Sequence, residues 1–157
     1  AAGVSPGGTR LFVLVVLAAV VHSFCLTVGN ILWPMHVKDT FGWAASEYAY
    51  LIVGQAIMNA LALAAMPVAA AAISPLRLAM YASYAAAVGA LGFGVPAFSS
   101  VVSLHTALAL VYFAALALLG PTLATAASMV RQRDQQGRSF GLVQTATTTG
   151  SIGGSLL

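Results

Sequence analysis

Side chains able to do chemistry stand singly within long apolar runs. His22 precedes Ser23, Thr27 and Asn30, which fall at i, i+4 and i+7 and so share one helix face. Tyr48, Gln55 and Asn59 share another face with Met66. Tyr112 follows His105 by seven residues, and Gln144, Thr145, Thr148 and Thr149 crowd a later segment. Amides, hydroxyls and imidazoles in such settings can hold a small polar solute or bond one helix to another. They do not amount to a bond-breaking centre. All three carboxylates (Asp39, Glu47 and Asp134) lie outside the apolar runs, so no acid–base pair forms within them. Cys25 is the single cysteine and reads as a small packing residue. No His, Cys, Asp and Glu cluster has metal-ligand spacing, no glycine loop suits a phosphate, and no cofactor is expected. Gly137-Arg138-Ser139-Phe140-Gly141 matches the hydrolase nucleophile elbow in letters only. It follows a polar loop rather than a strand, and no His, Asp or Glu comes after Ser139.

The elements that carry these residues follow from the charges. Between Leu11 and Val130 only Lys38, Asp39, Glu47 and Arg77 are charged. A bilayer core about 30 Å thick is crossed by about 20 mostly apolar helical residues. An Arg or Asp at the centre of such a helix costs roughly 3 kcal/mol. Charges at this spacing mark loops, and the stretches between them mark crossings. Composition agrees, with 61% hydrophobic and 6% charged residues, against about 25% charged in soluble domains. The net charge of +3 is too sparsely placed to imply nucleic acid. The expected fold is an all-α integral membrane protein whose first partner is the lipid bilayer. Its spans fall at residues 11–33, 48–72, 78–95, 104–130 and 140–157, after a linker at 1–10. The first is too long for a signal peptide and ends against Pro34. The third closes at Pro96 and the Ser99-Ser100 turn, and Gly120-Pro121 interrupts and bends the fourth.

Loop charge sets the orientation. Arg10, Arg77, Arg131, Arg133 and Arg138 fall on one side of five antiparallel spans, and Lys38 alone on the other. Basic residues accumulate in cytoplasmic loops, so the amino terminus is expected inside. Trp33, Trp43, His36 and His105 are expected at the membrane–water boundary. The Pro/Gly-rich start and the apolar stop at Leu157 read as the ends of a piece of a longer protein.

Several local patterns resemble the major facilitator superfamily of transporters. Gly120-Pro121, then Gln136-Gly137-Arg138-Ser139-Phe140-Gly141 and Thr149-Gly150-Ser151-Ile152-Gly153-Gly154, look like that family's tenth-to-eleventh helix region. Lys38-Asp39-Thr40-Phe41-Gly42-Trp43 looks like its extracytoplasmic loop between the seventh and eighth helices. The resemblance implies helices seven to eleven, part of the six-helix carboxyl-terminal half. Ala72-Ile73-Ser74-Pro75-Leu76-Arg77-Leu78 departs from the family's gating motif, lacking its Asp and Gly. What the resemblance implies is secondary active transport of a small solute by alternating access, with a missing amino-terminal half as partner.

Polar residues in lipid face a bundle interior or a water-filled path. They also bond helices together, at about 0.6–2 kcal/mol per contact. Both readings stand for the substrate-path candidates His22, Asn30, Gln55, Asn59, Tyr112, Gln144 and Thr148. Gly89, Gly92, Gly94 and the pair Gly150 and Gly154 are expected to allow close helix approach. The alternative to transport is a membrane scaffold or assembly subunit, with an intramembrane enzyme more distant.

Overall fold

In the computed structural model, which describes residues 6–130 and 136–156, every regular element is a helix. They are α1 (Pro6–Phe41), α2 (Ala45–Ala72), α3 (Pro75–Gly94), the single turn α4 (Pro96–Ser99), α5 (Val102–Val130) and α6 (Gln136–Ser155). Among the described residues, four helical stretches are long and apolar enough to cross a membrane: Gly8–Phe41, Ala45–Ala72, Pro75–Gly94 and Val102–Met129. This fits an all-α membrane protein. Helix α6 covers most of the fifth expected span, but its threonines and glycines keep it out of that set.

Local chemistry places the boundaries. Helix α1 does not stop at Pro34, as the sequence led us to expect, but runs on to Phe41. A proline removes one backbone donor, and membrane helices tolerate that loss when nothing else breaks the segment. The stop comes at Gly42, whose φ of 67° suits a residue without Cβ. Its N–H donates to the Lys38 carbonyl at 2.9 Å, a left-handed helix cap. The Ala44 N–H then donates to Glu47 Oε2 at 2.7 Å, half of a capping box, because the Ala44 side chain has no oxygen to accept in return. Ser74 caps α3, its Oγ accepting from the Arg77 N–H at 3.4 Å, with Pro75 at the first helical position. Val95, the residue before Pro96, is extended and ends α3. Helix α5 runs continuously through Gly120-Pro121, so the pair does not interrupt the helix as expected.

The chain divides into two compact units. The first comprises α1 up to Val28, α5 from Gly120, and α6. Its α6 face is Ser139, Val143, Ala146, Gly150 and Gly154, all buried. A Cβ on Gly150 would fall onto the Val20 carbonyl oxygen, and one on Gly154 would lie 3.0 Å from the Phe24 oxygen. The expected packing pair is therefore in place, backbone to backbone. The second unit comprises residues 29–119. Its α3 presents a small-residue stripe of Ala79, Ala82, Ala86, Gly89 and Gly92. A Cβ on Gly89 would come within 2.6 Å of the Tyr112 nitrogen, and one on Gly92 within 2.7 Å of Leu108 Cβ. Gly94 faces open space, so it takes no part in the close approach expected of it.

Candidate functional site

In the second unit the sequence dictates an unusual buried chain. Pro96 has no N–H, so the carbonyl of Gly92, four residues earlier, loses its helical partner. His105 replaces it, its Nδ1 lying 2.9 Å from the Gly92 oxygen. The indole N–H of Trp33 donates to His105 Nε2 at 3.0 Å. An indole only donates and a carbonyl only accepts. The imidazole between them is therefore neutral, with its hydrogen on Nδ1. Trp33 and His105 are both fully buried. Around Trp33 lie Phe113 at 4.8 Å and Tyr48 at 5.9 Å between ring centroids. Phe93 and Phe41 lie 5.3 and 5.4 Å from His105, and His36 stacks on it at 4.7 Å. Three of the four residues expected at the membrane boundary, Trp33, His36 and His105, thus meet in the aromatic cluster of this unit. With both ring nitrogens engaged, His105 is neither a free metal ligand nor a free base.

Helix α2 turns one stripe inward. Leu51 is buried, and Tyr48, Gln55, Asn59, Ala62 and Met66 are half-buried on the same face. That is the face on which the sequence places Tyr48, Gln55, Asn59 and Met66. Asn59 Oδ1 is buried without a hydrogen-bond partner, a condition that costs about 1–3 kcal/mol. Tyr112, from α5, joins the aromatic cluster 5.5 Å from Phe93, with its ring against Gly29. Asn30 is exposed, so the face it was expected to share with Ser23 and Thr27 is not evenly packed: Ser23 is buried and Thr27 half-buried.

In the first unit His22 is buried, and its Nδ1 has no hydrogen-bond partner. Its Nε2 faces Gly120, where a Cβ would stand 3.2 Å away, so glycine makes room for the ring. Pro121 beside it is exposed. Helix α6 has two unlike faces. Opposite its buried small residues lie Gln144, Thr145, Thr148 and Thr149, all exposed. Each of the three threonine hydroxyls donates to its own helix: Thr145 to Gly141 at 2.9 Å, Thr148 to Gln144 at 3.0 Å, Thr149 to Thr145 at 2.9 Å. The Gln144 side chain is therefore the strongest polar group on that face.

The seven path candidates do not converge on one spot within either unit. Gln55 and Asn59 share the α2 stripe, Tyr112 belongs to the aromatic cluster and Asn30 lies apart on α1. His22 is buried while Gln144 and Thr148 are exposed. Arg77 is exposed at the start of α3, and Arg138 is exposed within the first turn of α6 rather than in a loop. Arg131 and Arg133 lie outside the described residues. Among the described residues no group of His, Cys, Asp and Glu could hold a metal ion. Sequence reading missed the Trp33–His105–Gly92 chain. Its one local signal was Pro96, which orphans a carbonyl; nothing in the spacing names His105 as the donor. Comparison with protein-family models, curated proteins and solved structures gives no match.

Proposed function

We propose that this chain is part of a secondary transporter of the major-facilitator type, and that it moves a small solute by alternating access. In this reading five helices cross the bilayer, α6 being the fifth, with the amino end of α1 on the cytoplasmic side. The two-faced α6 carries the proposal. A helix surrounded by lipid would not turn Gln144 outward, since intramembrane polar groups face a bundle interior or a water-filled cavity. Gln144 and Thr148 then line the solute path, with Gln55, Asn59, His22, Asn30 and Tyr112 as further candidates. The missing amino-terminal half supplies the opposite wall.

The second reading, a scaffold subunit, draws on the same face. Threonines whose hydroxyls are already bonded to their own backbone can pack against a partner helix. Thiol labelling separates the two. In a Cys25→Ala background of the full-length protein, Thr148→Cys should react with a membrane-impermeant maleimide, and Leu14→Cys, exposed on an apolar face of α1, should not. Equal lack of reaction at both positions would remove the aqueous path and leave the scaffold.

A further inference from the structure

The turn between α1 and α2 borders an open cavity of about 350 Å³ lined by Pro34, Val37, Lys38, Trp43, Ala44, Ala45 and Tyr48. We propose that it holds an anionic phospholipid, with the upper acyl chain against the apolar wall and the headgroup phosphate on Lys38. This assignment is independent of the transporter reading and rests only on α1 and α2 spanning a bilayer.

Four observations carry it. The cavity lies where the first two apolar stretches, Gly8–Phe41 and Ala45–Ala72, meet at their ends, which is the depth of a headgroup. Its size falls at the small end of ligand pockets, about 300–1,000 Å³. Its walls are largely apolar, and among them Trp43 and Tyr48 are rings with one polar tip, the side chains that settle at a lipid boundary. The charge is one-sided as well. Lys38 is the sole charged lining residue. The Glu47 carboxylate is already committed to the Ala44 N–H at 2.7 Å, held at the positive end of α2, and Asp39 is not part of the lining. A phosphate on a chain fits one cation above an apolar wall. A free anion would find no second positive partner among the lining residues, and an uncharged amphiphile would make no use of Lys38.

Tryptophan quenching reads this site as the part of the signal lost in Trp43→Phe, because Trp43 lines the cavity whereas Trp33 is fully buried in the aromatic core. The full-length protein is reconstituted in bilayers of phosphatidylcholine containing graded amounts of either brominated phosphatidylglycerol or brominated phosphatidylcholine. Brominated phosphatidylglycerol should reach half-maximal quenching at about fivefold lower mole fraction, the preference that one lysine near a membrane surface gives. Lys38→Gln should bring the two curves together, Lys38→Arg should keep them apart, and Trp43→Phe should abolish the excess quenching. Glycerol phosphate in the buffer should not displace the lipid; if it does, the cavity is a soluble-anion site and the lipid proposal fails. Coincident curves in the unaltered protein, or a preference that survives Lys38→Gln, would equally overturn it.

Discussion

The Trp33–His105–Gly92 chain makes a quantitative prediction. Replacing His105 by Ala leaves both the indole N–H of Trp33 and the Gly92 carbonyl buried and unpaired. Each orphaned group costs about 1–3 kcal/mol, so the pair amounts to about 2–6 kcal/mol before any loss from the emptied ring volume. The conservative variants divide the effect. The His105→Asn amide can stand in for the Nδ1 donor toward Gly92 but gives Trp33 nothing. The longer His105→Gln side chain can offer its oxygen to Trp33 but leaves Gly92 orphaned. Each should lie about 1–3 kcal/mol below the unaltered protein, and above His105→Ala.

Thermal unfolding in detergent, followed by near-ultraviolet circular dichroism of the aromatic cluster, measures the ranking. A double-mutant cycle with Trp33→Phe isolates the indole–imidazole bond from the volume each change removes. Nitrogen NMR of the imidazole supplies an independent readout, since the donor–acceptor logic requires the neutral ring protonated on Nδ1. A ring found with its hydrogen on Nε2 would refute the reasoning outright. So would additivity of Trp33→Phe and His105→Ala, because partners bonded at 3.0 Å must couple.

Two further substitutions test the helix contacts and one tests a turn. Gly150→Ala should destabilise the protein by about 1–3 kcal/mol, since its Cβ meets the immovable Val20 carbonyl. Gly94→Ala, which meets nothing within 4 Å, should be neutral or stabilising by about 0.5–1 kcal/mol; equal melting temperatures for the two would refute the close approach. Gly42→Ala should cost about 1–2 kcal/mol from its left-handed backbone alone, with Gly42→Asn milder, and identical effects would argue against the cap. Cysteines at Arg77 and Arg138 should label from the same side of sealed vesicles, whereas labelling from opposite sides would break the five-crossing topology.

Much of the fold is legible in the sequence, because charge spacing together with proline and serine signals locates the turns. Lys38 to Glu47 brackets the α1–α2 turn and Ser74-Pro75 starts α3, both where electrostatics and capping put them. The errors share a cause. Proline reads as a terminator at Pro34 and as an interruption at Pro121, yet both helices run through. A single proline removes only one donor, and packing outweighs that local loss. Gly42, a quieter residue, is the real stop because its backbone adopts the left-handed conformation. The candidate residues were legible by type but not by position. Gln55 and Asn59 do share the inward stripe that their spacing requires. Asn30 is exposed although seven residues turn it only about 20° from Ser23, so periodicity gives a shared face but not what covers it. Trp33 and His105, which residue preference points to the membrane boundary, are also buried together in the aromatic core. They are brought together across 72 positions of sequence, a relation no local pattern encodes.

The distribution of side chains also decides which solvent surrounds the helices. Val13, Leu14, Leu17 and Val21 on α1 and Val53, Ile57, Leu61 and Val68 on α2 are each half-exposed or more. The buried set meanwhile includes His22, Ser23, His105, Thr122 and Ser139. A soluble monomer avoids contiguous apolar patches beyond a few hundred Å², and its core is where large aliphatic residues collect. In lipid that preference lapses, since the tails are as apolar as leucine and helices associate through close packing and polar bonds. The packing faces of α3 and α6 are accordingly rich in small residues: Ala79, Ala82, Ala86, Gly89 and Gly92 on α3, and Ser139, Ala146, Gly150 and Gly154 on α6. Small residues on the packing faces of these two helices, with many large apolar ones outward, is an arrangement that a bilayer permits. Exchanging Val53, Ile57 and Leu61 together for serine should therefore block membrane insertion rather than improve solubility, and recovery of that variant as a folded, detergent-free monomer would refute the bilayer as its solvent.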